Sequence, residues 1–214
     1  MSVYIDEFNK FTKIYGTTIM SPIKNIKDFT PLLSVVNTIP QVKPLTNLNW
    51  RIFDVFSQTL AYLIGDTCPV IERWFKENGG QYYWDHPLRY DTILDTHYVA
   101  KQVLAETLPR DFKIYLEPKV MVYNNKLVIK FSLDKEQRKQ MKSVIHSLND
   151  VYELKRGINR YIILGYLKSA PSEIPESKIE LMNSLVPKYI YINDPDVYHY
   201  SNVDTFKLYS SSLY

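Results

Sequence analysis

Across residues 127–133 the apolar side chains Leu127, Ile129, Phe131 and Leu133 alternate with other positions, the period-2 pattern of a strand with one buried face. Asn124 and Asn125 lie just before it, and residues 120–123 form a strand on their far side, so the segment predicts a hairpin closed by a two-residue turn. Residues 112–116 read as a further strand. The period then lengthens. Met141, Val144, Ile145 and Leu148 recur at helical spacing and predict an amphipathic helix over 135–148.

Similar elements flank this centre. Residues 89–94 predict a strand, and 97–108 a helix that Asp95 or Thr96 can cap and Pro109 stops. Beyond the central helix, 159–167 predicts a strongly apolar strand and 176–185 a helix introduced by Pro175. Residues 189–192 and 206–209 then read as strands joined by a polar turn around 193–196. The order strand, helix, hairpin, helix, strand, helix, hairpin is one unit written twice.

The N-terminal pattern differs. Pro22, Pro31, Pro40 and Pro44 exclude long helices and favour short strands or an extended wrap, so residues 1–47 read as an arm packed on the body. From Asn49 the spacing of Trp50, Phe53, Phe56, Leu60, Leu63 and Ile64 is helical, with a break at Gly65 and Asp66 and an end at Gly79 and Gly80. The expected organisation is an arm (1–47) and one α+β domain (48–214), the latter made of a helical lead-in (48–80) and two lobes (about 81–214).

Composition narrows this picture in three ways. The 26 basic and 23 acidic residues leave a formal charge of +3 with no block of like charge, so nucleic acid is permitted as a partner without being demanded. A lone cysteine, Cys68, excludes an intrachain disulfide and a paired-cysteine zinc site, which fits a reducing compartment. No apolar run approaches the roughly twenty residues that span a bilayer, and the start of the chain lacks the order of a signal peptide. The expectation is a soluble, intracellular, cytoplasmic protein with no membrane partner. Eighteen tyrosines beside six glycines, with many Asn, Lys and Ile, fit an AT-rich coding sequence of the viral or phage kind.

Candidate chemistry concentrates on the two leading strands, because both begin with Arg-Tyr. Arg89, Tyr90, Asp91, Thr92 open one, and Arg160, Tyr161, Ile162, Ile163 the other. Alternation places Tyr90 with Thr92 and Tyr161 with Ile163, while Arg89 and Arg160 take the opposite parity. If a pseudo-twofold axis relates the lobes, the four inward side chains meet in a cleft.

This order of elements over about 89–209, and the segment Tyr161-Ile162-Ile163-Leu164-Gly165-Tyr166 with the closing hairpin, resembles the 2H phosphoesterase (LigT-like) superfamily. The resemblance implies a two-lobed fold, with duplicated strand-helix-hairpin units whose antiparallel sheets flank a central cleft, plus an N-terminal extension. It also implies activity on 2',3'-cyclic phosphates, 2'-5' oligoadenylates or cyclic dinucleotides, by one histidine as general base and one as general acid, with Thr or Ser hydroxyls holding the phosphate. This chain departs from that pattern at three of the four positions: Tyr90 and Tyr161 stand where the histidines belong, Ile163 replaces a hydroxyl, and Thr92 is retained. A phenol with an ordinary pKa of about 10 is a poor base at neutral pH, and isoleucine makes no hydrogen bond.

Elsewhere His86 can reach a cleft rim, His97 starts a helix, His146 sits at a helix boundary and His199 lies in a polar turn; no spacing supports a metal site or calls for a cofactor. The expected function is therefore binding by a degenerate 2H-like protein. Candidate ligand residues are Tyr90, Thr92, Tyr161, Arg89, Arg160, His86 and Tyr166, since aromatic faces stack on bases and arginines pair with phosphate. Two alternatives stand beside it. One is an active phosphodiesterase using tyrosines; the other is a structural or virion-type scaffold that binds a protein partner through aromatic clusters such as Tyr82, Tyr83 and Trp84.

Overall fold

In the computed structural model of the chain, the described residues are 5–6, 8–11, 16–55, 102–107, 111–149, 160–168, 174–193 and 195–208. Among them, nine strands form two antiparallel sheets. The strands are β1 (Gly16–Pro22), β2 (Val42–Pro44), β3 (Asn49–Val55), β4 (Asp111–Tyr123), β5 (Lys126–Phe131), β6 (Tyr161–Leu167), β7 (Tyr189–Asn193), β8 (Asp196–Asn202) and β9 (Thr205–Leu208). One sheet has the order β3-β1-β8-β9, the other β2-β6-β5-β4-β7. The helices are α1 (Thr30–Asn37), α2 (Lys135–Asn149) and α3 (Glu176–Ser184), and residues 102–107 are also helical. The architecture is mixed α+β.

Several elements form where the pattern places them. Asn124 and Asn125 both take positive φ, 48° and 59°, which matches the twist of a two-residue hairpin turn and joins β4 to β5. Helix α2 buries Met141 and Val144 from the expected stripe. Pro175 occupies the N-cap of α3, where its lack of an N–H costs nothing. The two strands read at 112–116 and 120–123 are one strand, β4, whose register with β5 slips between Leu116 and Val120; Pro118, unable to donate to the ladder, lies in that slip.

Other elements differ from expectation. Residues 49–55 are strand β3 rather than the start of a helix, because Trp50 and Ile52 also alternate, and pairing with β1 from Thr17↔Val55 to Pro22↔Asn49 decides between the two periods. The proline-rich N-terminal segment does form short strands, as its punctuation predicts, and it supplies them to both sheets: β1 lies between β3 and β8, and β2 forms the edge beside β6. Pro31 sits in the first turn of α1, a position that tolerates it. The strands at 189–192 and 206–209 do not pair with each other. Strand β7 pairs with β4, after which the chain crosses to the other sheet and forms the β8–β9 hairpin. His199 accordingly lies within β8, paired with Thr17 and Lys207, and not in a turn.

The core follows from register. Leu127 pairs with Gly165, Ile129 with Ile162 and Val120, and Phe131 with Leu116; these positions share one face of the five-stranded sheet and are buried. Phe131 meets Trp50 of the other sheet edge-on at a ring-centroid distance of 5.4 Å. On β3, Arg51 is buried too, with its guanidinium carbon 4.7 Å from the Phe206 ring centroid and a hydrogen bond from Nη2 to the Val203 carbonyl.

The edge strand β2 comes very near β6. A Cβ on Gly165 would lie 2.7 Å from the Lys43 carbonyl oxygen and 2.7 Å from Val42 Cγ1. Because the first of these is backbone, no rotamer change relieves the clash. Gly165→Ala is expected to cost about 1–3 kcal/mol and to lower Tm by roughly 2–4 °C per kcal/mol in thermal unfolding; an unchanged Tm would mean that β2 does not pack there.

Candidate binding face on the five-stranded sheet

The segment from Tyr161 to Leu167 is apolar almost throughout, so composition does not reveal which side chains share a face. Register does. Opposite β5, Lys130 pairs with Tyr161, Ile129 with Ile162 and Val128 with Ile163, but Leu127 pairs with Gly165 and Lys126 with Tyr166. Leu164 is therefore one extra residue on β6, a bulge that reverses the alternation beyond it. Tyr166 thus shares a face with Tyr161 and Ile163, opposite Lys126, Val128 and Lys130.

The same face extends across β4 and β7. Tyr123 pairs with Lys126 and Met121 with Val128, which puts both on it. Leu116 and Ile114 belong to the core face, so Lys113 and Tyr115 take the other side, paired with Tyr191 and Tyr189 respectively. Tyrosine and lysine consequently alternate over this surface of the sheet.

Two clusters result. In the first, Tyr123 and Tyr161 approach at 5.7 Å between ring centroids. Lys126 Nζ stands 5.8 Å from the Tyr161 ring and 5.9 Å from the Tyr166 ring. Phe11 then meets Tyr166 edge-on at 5.9 Å and carries Lys43 Nζ at 4.7 Å from its centroid. In the second, Lys113 Nζ lies 4.0 Å from the Tyr189 ring, 5.3 Å from Tyr115 and 5.6 Å from Tyr191, within reach of cation–π attraction. Tyr115, Tyr123 and Tyr191 are 62%, 47% and 37% exposed, so aromatic surface is open to a ligand at both clusters.

Of the residues singled out in sequence, His86, Arg89, Tyr90 and Thr92 lie outside the described residues, as do Cys68 and the Tyr82-Tyr83-Trp84 cluster. The remaining four are placed. Tyr161, Ile163 and Tyr166 come together on one face; Arg160 stands just before β6, exposed, with its carbonyl accepting from the Phe131 N–H at 3.1 Å. Ile163 is only 6% exposed and Tyr166 is fully buried, so this half of the expected cleft is packed at the hydroxyl position. His146 is exposed on α2. Among the described residues no group of three or more His, Cys, Asp or Glu side chains gathers as a metal site would require, and no helix is long and apolar enough to cross a membrane.

Lys113, Lys126 and Lys130 were not singled out in sequence, yet they had a signal. They occupy the positions that alternate with the apolar Ile114, Leu127, Ile129 and Phe131.

No protein-family model matches the chain, and no curated protein matches it. Among solved structures, a conserved protein of unknown function from Agrobacterium tumefaciens is similar in fold, with a TM-score of 0.56 at 13% identity, over 98% of this chain and 90% of that one. Usb1 from Kluyveromyces marxianus aligns with a TM-score of 0.47 at 9% identity, over 92% of this chain and 97% of that one. The first likeness speaks for a shared fold alone, and the second is too distant to carry an argument.

The burial of Ile163 yields a test. Ile163→Thr places a hydroxyl at a buried position. It is expected to destabilise the protein by about 1–3 kcal/mol, read as a lower urea midpoint. An unchanged midpoint would show that the position is open to solvent after all.

Proposed function

We propose that this chain is a catalytically degenerate 2H phosphoesterase-like protein that binds a nucleotide or an RNA end on the tyrosine–lysine face of its five-stranded sheet. The observation that carries this reading is the cluster in which the exposed Tyr123 ring lies 5.7 Å from the Tyr161 ring and Lys126 Nζ stands 5.8 Å from Tyr161. Aromatic rings stack on bases irrespective of sequence, at about 1–3 kcal/mol per base, and neighbouring ammonium groups attract the phosphates between them. A face that alternates the two suits a single strand or its end.

Loss of the usual chemistry follows from what stands at the second motif. The family mechanism needs one group to take a proton and another to give one near neutral pH, with hydroxyls on the phosphate. Tyr161 offers a phenol, and Ile163 offers an apolar side chain packed away from solvent. In the first motif, Tyr90 stands at the other histidine position, with Thr92 retained and Arg89 and His86 as further ligand candidates; a cleft joining both motifs belongs to this proposal. The exposed rings of Tyr115, Tyr123 and Tyr191 also support a second reading, a docking surface for a protein partner, since tyrosine is enriched at interface centres.

Fluorescence anisotropy with labelled ten-residue oligouridylate and oligoadenylate separates these readings. Binding is expected to weaken steeply between 50 and 200 mM salt. Tyr161→Leu and Lys126→Gln should each weaken it by about tenfold. No hydrolysis of 2',3'-cyclic nucleotides, 2'-5' oligoadenylate or cyclic dinucleotides is expected. Product formation abolished by Tyr161→Phe would establish an active enzyme, and absence of nucleic-acid binding with stable capture of a protein partner would establish the scaffold.

A further inference from the structure

The edge of β2 borders a cavity of about 560 Å³, walled by the N-terminal residues Asn9 to Phe11, by β2 itself, and by the turn between β8 and β9. Three of its lining residues are lysines: Lys10, Lys43 and Lys168. One is a carboxylate, Asp204, and its oxygens are already engaged. Asp204 Oδ1 accepts from the Thr46 N–H at 2.8 Å and the Asn47 N–H at 3.4 Å, and Oδ2 accepts from the Thr46 hydroxyl at 2.7 Å.

Among the described residues a further acid in this segment, Asp6, is also committed. Asp6 Oδ1 accepts from the backbone N–H groups of Phe8 and Lys10, which shapes the turn that carries Lys10. Among the described residues no carboxylate forms an ion pair with Lys10, Lys43 or Lys168. Among the described lining residues, three ammonium groups against one occupied carboxylate give an excess of two positive charges.

We infer that this cavity is a binding site for a phosphate monoester. A monoester carries about 1.5 to 2 negative charges at neutral pH, which balances that excess, and its three oxygens can accept from separate ammonium groups. Polar donors are at hand as well: the Thr205 hydroxyl accepts from Asn202 Nδ2 at 3.1 Å, which leaves its own hydrogen to donate. The volume falls within the range of small-ligand clefts, and the site is open to solvent on one side. Phe11 supplies an apolar wall beneath Lys43, and Lys43 is held in place by a hydrogen bond to the Asn9 carbonyl.

The monoester can belong to a free mononucleotide or to the end of a strand lying on the tyrosine–lysine face, since Phe11 links the cavity to Tyr166 at 5.9 Å. The inference stands without the second source.

Calorimetric titration with uridine 5'-monophosphate and with uridine tests the cavity directly. Wild-type protein should bind the monophosphate at least about tenfold more tightly than the nucleoside, and Lys10→Gln/Lys168→Gln should bring that ratio close to one. Both lysines lie at the surface of the cavity, and thermal unfolding of the double variant checks that it folds. A parallel arm compares ten-residue oligouridylates ending in a 5'-phosphate, a 3'-phosphate or hydroxyls only. A lysine-dependent gain from a terminal phosphate identifies a strand end as the source; a lysine-dependent gain for the mononucleotide alone identifies a small ligand, and with no oligonucleotide bound at all it leaves the cavity assigned while removing the face as a strand site. The inference is overturned if monophosphate and nucleoside bind alike, if neither binds, or if the double variant keeps the wild-type ratio.

Discussion

A single extra residue in β6 decides which side chains this protein presents. Without the bulge at Leu164, alternation would carry Tyr161, Ile163 and Gly165 on one face and leave Tyr166 on the other. With it, Tyr166 joins Tyr161 and Ile163, and Lys126 Nζ lies 5.8 Å from one tyrosine ring and 5.9 Å from the other. The bulge is held from both sides. Leu127 and Val128 of β5 pair across it, while β2 closes on Gly165 and the Leu45 N–H donates to the Leu164 carbonyl at 3.0 Å. Glycine beyond the bulge is required by that close approach, since any larger residue meets the β2 backbone. The geometry of the candidate face thus depends on a local irregularity pinned by an edge strand from the far N-terminal part of the chain.

From this follows a division of labour between the two faces of the five-stranded sheet. One is apolar and buried, running from Ile114 and Ile190 through Leu127, Ile129 and Ile162, and it packs Phe131 against Trp50 of the second sheet. The other keeps only its centre dry, at Val128, Ile163 and Tyr166, and surrounds it with partly exposed tyrosines and lysines. At that buried centre the Ile163 side chain fills the space against its neighbours and offers no hydrogen-bonding group. The wet margin is where aromatic and cationic groups can still meet a ligand.

Much of this was legible in the chain. The Asn124-Asn125 turn, the α2 stripe and the strand beginning at Tyr161 follow from turn chemistry and period, which are local properties. The paired Arg-Tyr starts pointed to Tyr161 and Ile163, and the structure brings these together with Tyr166, while Arg160 stands apart. What could not be read was non-local. Trp50, Phe53 and Phe56 fit a helix as well as Trp50 and Ile52 fit a strand, and only β1 settles the matter. Strand β8 is polar and tyrosine-rich, with no alternation to announce it, so the crossing from one sheet to the other has no local signal. In β6 a continuous apolar run hides the bulge, because parity cannot be followed where both faces are buried. The lysines of the candidate face are visible as the complement of the apolar positions, but a lysine opposite a core residue is ordinarily solvated surface.

The claim that the tyrosine–lysine face is where this protein meets its ligand is tested most directly by photo-cross-linking a 4-thiouridine-substituted ten-residue oligouridylate and mapping the attached residues by mass spectrometry. Cross-links at Tyr123 and Tyr161, lost on competition with unlabelled strand, are expected. Cross-links confined to the β3-β1-β8-β9 sheet or to helix α2 would contradict it.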